Sequence, residues 1–327
     1  MLSRPLGSSG IEVPLLGLGC NSLGHIRSDA GCWLVKAALD RGVTFFDTAN
    51  VYAQGRSEEE LGRLIPRSRD DVLIATKFGH PASVANGLAP CAPDQVLGAV
   101  EASLGRLSRD RIDVLLIHFP DPHTPFSQTL LALAGLLQQG KIRSYGVSNF
   151  SSSQLRELLQ TADLLGMARP VLVQGEYSLL CRGVESELIP AVLDHRLGFV
   201  PFFPLASGLL TGRYRRGQAA DFTLRAKVVR QFEKRFLRES NWRALDALHE
   251  VSDQAGVPLN QIALHWLAGR PGVSTIIAGA SKAEQLIANA QALEKPVPAD
   301  ILEAVDRVLT DLTIAQGDLL NVTLHSD

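Results

Sequence analysis

The chain alternates short apolar runs with longer amphipathic segments. Seven of the runs read "VTFFD", "VLIATK", "IDVLLIH", "IRSYGVSN", "VLVQ", "GFVPFF" and "VSTIIAG", and an earlier one, "PLLGLGC", precedes them. Runs this nearly continuous are the pattern of strands buried on both faces of a parallel sheet covered by helices. They end at Asp47, Lys77, His118, Ser148, Gln174 and Phe202, each about one βα unit from the last. Eight strands at that spacing predict an α/β fold of the closed (β/α)8 type, a TIM barrel. The competing architecture is an open doubly wound sheet, which would carry a glycine-rich phosphate loop after its first strand. The first loop, "GLGCNSLG", offers Gly17 and Gly19 but delays the next glycine to Gly24, so that fingerprint is incomplete.

Between the strands, several helix ends carry a physical signature. Ser57 with Glu60 three residues later reads as a capping box, which starts a helix at Ser57. "CAPDQVLGAVEASLGRL" starts a helix at Pro93 or Asp94, "FSQTLLALAGLLQQGK" ends one at Gly140, and "SSSQLRELLQ" places a serine cap before its apolar stripe. "PLNQIALHWLAG" and "PADILEAVDRVL" read as further helices. Before the first strand, "LSRPLGSSGIEVPLL" reads as a hairpin around Gly7–Gly10, a shape that can plug the bottom of a barrel. The gap from Phe202 to Ile277 is too long for one βα unit. It holds an excursion, roughly 206–240, with Arg213, Arg215, Arg216, Arg225, Arg230, Arg235 and Arg238. A solvated loop and a lid over an anionic ligand are both open readings of it. Residues 1–327 are expected to form a single barrel domain.

Bulk composition narrows the function classes. Of 327 residues, 46% are hydrophobic and 20% charged, enough for a large core. With 32 basic and 34 acidic residues the formal net charge is -2, so no electrostatic argument points to nucleic acid or an anionic membrane. Cys20, Cys32, Cys91 and Cys181 are far apart and form no CxxC pair, a pattern of reduced thiols in a cytoplasmic protein. The amino terminus has no continuous apolar stretch of the signal-peptide kind. The longest apolar runs, such as "LLALAGLL", fall short of the roughly 18 residues needed to cross a bilayer.

Asp47, Lys77 and His118 end three consecutive strands, and Tyr52 follows the first of them. In a (β/α)8 barrel those ends open onto the face where active sites are built. Singly, each residue has an ordinary structural role: Asp47 as a cap or ion-pair partner, Lys77 as its partner, His118 as a core histidine, Tyr52 as a loop aromatic. Together they are an acid, an amine, an imidazole and a phenol. The phenol's ordinary pKa of about 10 is too high for easy proton release, and the Lys77 ammonium is expected to lower it. Asp47 would hold Lys77 through a charge-assisted hydrogen bond, and His118 would orient a substrate carbonyl. Such a general acid suits protonation of an alkoxide as it forms, which implies hydride transfer and a donor such as a nicotinamide.

In "FFDTANVYAQGRSEEELG", "VLIATKF", "IDVLLIHFPDP", "LLQQGKIRSYGVSNF", "VQGEYSLL", "GFVPFFPLASGLLTGRY" and "IIAGASKAEQLIANAQAL", in order from about Leu6 to Leu293, the chain resembles the aldo-keto reductase family. The resemblance implies the (β/α)8 barrel, a catalytic tetrad of Asp47, Tyr52, Lys77 and His118, and NADPH, less often NADH, with no metal. It assigns Ser148, Asn149 and Gln174 to the nicotinamide carboxamide, and Phe202 to stacking on the nicotinamide ring, where the family often has tyrosine. Leu205, Ser207, Gly208 and Leu209 match the loop around the pyrophosphate, and Gly279, Ser281, Lys282, Gln285 and Asn289 the adenosine end. Ser281 is expected at a helix N-terminus, where backbone N–H groups favour phosphate, and Lys282 adds a cation; NADPH is therefore preferred. Two positions depart from the pattern. Phe203 replaces a small polar residue, and Gln285 stands where many members carry arginine.

A small-molecule carbonyl compound is the expected substrate. Asn21, Phe78, His80, Phe119, Tyr177 and Leu179 are expected around it, a partly apolar rim that suits aldehydes, ketones and sugar lactols. Two rivals come from other classes. One is a nicotinamide-binding regulatory subunit of low turnover. The other is a metal hydrolase using Asp47 and His118, for which the strand ends supply no further expected ligands.

Overall fold

A computed structural model of the chain describes residues 1–84, 88–216 and 238–311. Its first two strands, β1 (Ser3–Pro5) and β2 (Glu12–Pro14), pair antiparallel as the expected hairpin. Eight parallel strands follow: β3 (Leu16–Gly19), β4 (Phe45–Asp47), β5 (Leu73–Phe78), β6 (Ile112–Ile117), β7 (Ile142–Ser148), β8 (Leu172–Glu176), β9 (Gly198–Phe202) and β10 (Ile276–Gly279). They close in chain order, β10 pairing with β3 through Ile276↔Leu16. The expected closed barrel is the observed one. Helices α1 (Ser28–Asp40), α2 (Arg56–Leu64), α3 (Pro93–Leu107), α4 (Phe126–Gln138), α5 (Ser152–Leu164), α6 (Leu188–Asp194), α7 (Glu239–Ala255), α8 (Leu259–Ala268), α9 (Ala283–Glu294) and α10 (Ala299–Asp311) accompany the strands.

Strand side chains alternate between the barrel interior and the helix layer, because successive residues point to opposite faces. Phe45, Ala75, Val114, Leu116, Leu172, Val200 and Ile277 fill the interior. Their neighbours Phe46, Ile74, Leu115, Ile117, Val173, Phe199 and Ile276 join the larger core between strands and helices. The hairpin closes the bottom: Leu6 (0% exposed), Ile11 and Val13 pack into the interior cluster. Gly7 permits this approach with φ +55°, since a Cβ there would lie 2.4 Å from the Val171 carbonyl oxygen. Gly17 and Gly19, the incomplete phosphate fingerprint, belong to β3 itself. A Cβ on Gly17 would meet Ile277 Cδ1 at 2.7 Å, so these glycines serve barrel closure.

Helix starts agree with their signatures at α3 and at α5, where Ser151 accepts from the Gln154 backbone N–H at 3.2 Å and the Gln154 side chain accepts from the Ser151 N–H at 2.9 Å. The box expected at Ser57 and Glu60 does not form. α2 begins one residue earlier after Gly55, and the Ser57 hydroxyl instead donates to the Cys20 carbonyl oxygen at 2.7 Å, while Glu60 pairs with Arg63 on the surface. Tertiary bonds have taken the serine away from its local role. In the expected excursion, Arg225, Arg230 and Arg235 lie outside the described residues. Arg215 pairs with Asp253 and Arg216 with Glu239 and Asp246, each at 2.9 Å between exposed side chains, as on a solvated surface. All four cysteines are unpaired. Among the described residues, no helix is long and apolar enough to cross a membrane.

Candidate active site

Strand parity puts the candidate residues at one level. Phe45, Ala75, Leu116, Leu172, Val200 and Ile277 point into the barrel. Two residues further along each strand direction come Asp47, Lys77, His118, Gln174, Phe202 and Gly279. Each therefore faces the same interior one layer higher, at the carboxyl end. Ser148 ends β7 at the same level, two residues after Gly146, whose Cβ would run into Leu116 and Leu172 side chains.

Lys77 is 1% exposed and its ammonium has three oxygen partners. It donates to Asp47 Oδ2 at 2.7 Å and to the Thr48 carbonyl at 2.8 Å, and makes a long contact of 3.4 Å with the Tyr52 hydroxyl. Asp47, 4% exposed, accepts through its other oxygen from Gln174 Nε2 at 2.9 Å. The Tyr52 and His118 rings meet edge to face with centroids 6.0 Å apart. All four expected tetrad residues thus come together. His118, 7% exposed, leaves its Nδ1 buried without a partner.

The electrostatics differ from expectation in one respect. Burial pushes the Tyr52 hydroxyl above its ordinary value; Lys77 pulls it down and does not win. The phenol is not acidified in this structure but held protonated. Lys77 is pulled down by burial, yet Asp47 and Tyr52 outweigh that and raise it, so it stays an ammonium. Burial first, then Lys77 and His80, drive His118 well below the ordinary imidazole value, so its ring is neutral. The arrangement is a protonated phenol beside a fixed cation and a neutral imidazole. If the phenol gives up its proton, the phenolate forms next to Lys77, where the charge is stabilised.

Toward β7–β9, the expected carboxamide residues form a network with the tetrad. Ser148 Oγ donates to Gln174 Oε1 at 3.3 Å, and Asn149, left-handed at φ 60°, donates through Nδ2 to the His118 carbonyl at 3.0 Å and to Ser148 Oγ at 3.2 Å. These bonds leave the Asn149 carbonyl oxygen to accept from an amide. Phe202 is half-buried, its ring edge-to-face with exposed Phe203 at 5.3 Å. Leu205, Ser207, Gly208 and Leu209 lie on the 3-10 segment around Ala206–Thr211, with Ser207 at φ 54° and Gly208 at φ 105°. Leu209 packs in the core, so only its backbone can reach a ligand. Gly279 is exposed beside Asn21, while Asn289 is buried on α9. At the start of α9, Gln285 Oε1 accepts from Ser281 N at 2.8 Å, Lys282 N at 3.2 Å and Ser281 Oγ at 3.3 Å. The donors expected to meet a phosphate are therefore engaged by Gln285. A half-buried aromatic face, an amide acceptor beside the tetrad and a glycine-lined rim fit a nicotinamide dinucleotide.

The rim is narrower than expected. Phe78 is buried in the helix-side core. Tyr177 is buried too, its hydroxyl donating to Glu185 at 2.7 Å and its ring against Trp266, and Leu179 is fully buried. Asn21, His80 and Phe119 remain at the mouth. His80 and Phe119 pack against His118 at 5.1 Å each, His80 edge-on and Phe119 nearly parallel. Sequence reading missed the contact of Thr48 with Lys77 and the bond from Gln174 to Asp47, for a backbone carbonyl and an amide carry no motif. Among the described residues, no three of His, Cys, Asp and Glu gather as a metal-holding group.

Comparison with known proteins gives a consistent set of relatives. The family model described as Aldo/keto reductase family matches residues 15–310. An Arabidopsis thaliana protein named "Probable voltage-gated potassium channel subunit beta" is 33% identical over 322 residues, covering 93% of this chain and 96% of that protein. A protein of the same name from Oryza sativa subsp. japonica is 34% identical over 320 residues, covering 94% and 95%. "L-glyceraldehyde 3-phosphate reductase" of Escherichia coli (strain K12) is 34% identical over 308 residues, covering 90% and 88%.

Proposed function

The chain belongs to the aldo/keto reductase family, and on that premise we propose that it is an NADPH-dependent reductase of small aldehydes or ketones, with Tyr52 as proton donor. The single observation that carries the reading is the Lys77 ammonium held between Asp47 at 2.7 Å and the Tyr52 hydroxyl at 3.4 Å. When bound, a reduced nicotinamide would supply the hydride that the carbonyl carbon takes up. The Tyr52 hydroxyl gives its proton to the carbonyl oxygen as negative charge builds there, so the product is an alcohol. Lys77 stabilises the phenolate left behind, and solvent restores the proton. Neutral His118 hydrogen-bonds the carbonyl oxygen and orients it toward Tyr52. Asp47 keeps Lys77 in place, itself fixed by Gln174. In the reverse direction, Tyr52 takes the alcohol proton.

Ser148, Asn149 and Gln174 would hold the carboxamide and Phe202 the nicotinamide face. Leu205, Ser207, Gly208 and Leu209 would follow the pyrophosphate, and Gly279, Ser281, Lys282, Gln285 and Asn289 the adenosine end. NADPH is the preferred form through the Lys282 cation, the Ser281 and Lys282 N–H groups being taken by Gln285, and NADH is admitted because Gln285 brings no charge. The Escherichia coli relative's name makes a short phosphorylated hydroxyaldehyde one candidate substrate. Four unpaired cysteines suit a reducing compartment, so we take the cytoplasm as the setting and residues 1–327 as one domain.

The names of the plant relatives favour a second reading, a nicotinamide-binding regulatory subunit of low turnover. One experiment separates the two: NADPH oxidation followed over a panel of short aldehydes, ketones and sugars, beside a fluorescence titration of the protein with NADPH and NADH. Turnover of at least about 1 per second on one panel member supports the reductase. Tight NADPH binding with negligible turnover throughout supports the subunit.

A further inference from the structure

Glu58 is 0% exposed, on the first turn of α2, and its hydrogen bonds go to Thr76 and Arg106, to none of the four tetrad side chains. A buried carboxylate needs partners, and it has two. Oε2 accepts from Arg106 Nε of α3 at 2.7 Å, and Oε1 from Thr76 Oγ1 of β5 at 2.5 Å. Thr76 is the residue immediately before Lys77. By strand alternation its side chain points out toward the helices while Lys77 points in. Glu58 therefore grips, from outside the barrel, the strand that carries the ammonium from inside.

The other end of the grip is the turn that carries the phenol. Tyr52 opens a 3-10 turn in which Ala53 (φ 51°), Gln54 (φ 59°) and Gly55 (φ 89°) are all left-handed. Two non-glycine residues in succession hold that conformation only where their surroundings dictate it. Those surroundings are specific. A Cβ on Gly55 would lie 2.8 Å from Arg106 Cδ, so the side chain that pairs with Glu58 also lies alongside the end of the turn, in space only glycine leaves open. Ser57 donates to the Cys20 carbonyl at 2.7 Å and shares a 2.8 Å bond with Thr48, whose carbonyl holds Lys77. A Cβ on Gly24 would come within 2.6 Å of Ala53 Cβ, so the turn is closed in from the β3 side as well.

We infer that Glu58, through Thr76 and Arg106, is a positioning residue that sets the Tyr52 turn against β5 and so fixes the contact between the Tyr52 hydroxyl and Lys77. The inference rests on the proposed role of Tyr52. Its function is geometric and its consequence electrostatic: a looser turn moves the phenol from the cation, phenolate becomes harder to form, and proton delivery slows. Small displacements matter here, since misplacement by about 1 Å can reduce a rate roughly a hundredfold.

The test compares wild type with Thr76→Val, Glu58→Gln and Tyr52→Phe, using the best substrate of the carbonyl panel with NADPH. Thr76→Val is nearly isosteric and removes one hydrogen bond while keeping the ion pair, so it decides the matter if Glu58→Gln fails to fold. The readouts are kcat against pH, KM, and NADPH affinity by fluorescence. The expected result for Thr76→Val and Glu58→Gln is a fall in kcat of about tenfold or more, NADPH affinity and KM within about twofold, and a basic limb of the kcat profile moved to higher pH. Tyr52→Phe losing turnover while both variants keep the wild-type kcat and limb overturns the inference and leaves the Tyr52 reading standing. A parallel loss of kcat and NADPH affinity with an unmoved limb also overturns it, as a merely structural role. Tyr52→Phe retaining turnover, or a wild type inactive on the whole panel, removes the underlying reading and the inference with it.

Discussion

Lys77 keeps its charge where almost no water reaches it, because Asp47, the Thr48 carbonyl and the Tyr52 hydroxyl surround it. Removing one member of such a buried pair leaves the other charge uncompensated. Lys77→Met is expected to abolish turnover and to lower stability by about 3–5 kcal/mol, measured by urea unfolding. His118 gives a pH prediction with a definite sign. Its folded-state pKa is depressed below 6.5, chiefly by burial, so below that pH the unfolded chain binds more protons than the folded one. Its contribution to stability is complete above 6.5 and is lost as pH falls toward the folded value. His118→Asn is expected to flatten the part of the acid-side fall in melting temperature just below pH 6.5, leaving His80, whose burial depresses it in the same direction, and at lower pH the carboxylates held low by their partners, such as Asp121 and Asp163. The placement of Asp47, Lys77 and His118 was legible because each ends an apolar run and strand parity does the rest; that of Tyr52 was legible only as the phenol that follows the first of those ends. The protonated state of Tyr52 was not legible: proximity of a cation is written in the spacing, but the burial that outweighs it depends on the closed barrel.

At the scale of elements, α2 is where sequence and structure part most clearly. Ser57 and Glu60 have the spacing of a capping box, and the helix instead starts at Arg56, after Gly55, with Ser57 bonded to Cys20 and Thr48. Local spacing states what a residue can do near its own backbone and is silent on what the next strand offers it. At α5 the expected serine cap held: Ser151 is exposed, accepts from the Gln154 N–H, and meets Ser153 of its own first turn and no distant strand. Gly62 shows how closely α2 docks: a Cβ there would lie 2.6 Å from the Arg106 and Leu107 carbonyl oxygens, backbone atoms that cannot rotate away. Gly62→Ala is expected to destabilise by about 1–3 kcal/mol, read from the urea midpoint. At the start of α9, Gln285 holds the Ser281 and Lys282 N–H groups that a phosphate would use. Gln285→Arg trades that neutral cap for a cation, and the NADPH-to-NADH affinity ratio is expected to rise about tenfold by fluorescence titration.

Across the whole molecule, the barrel separates stability from chemistry. Its floor is the hairpin, with Leu6 buried among Phe45, Leu172 and Val200, and its opposite end carries the candidate site. Leu6→Ala is expected to cost about 2–5 kcal/mol in urea unfolding while the folded fraction keeps its turnover, since the deletion is at the far end. The number of strands, their order and the plugging hairpin were legible because each apolar run is a separate strand and all but the last are joined by single βα units. The narrow rim was not, because Phe78, Tyr177 and Leu179 look like mouth residues in sequence and are drawn inward only by the helix layer and Trp266. What the barrel holds at its open end is one phenol over one fixed ammonium. The direct test is turnover of Tyr52→Phe at saturating NADPH and carbonyl substrate, with NADPH affinity measured on the same preparation. A fall in kcat of about a hundredfold or more with affinity within twofold is the expected result. A variant that turns over as fast as the wild type would contradict the role of Tyr52.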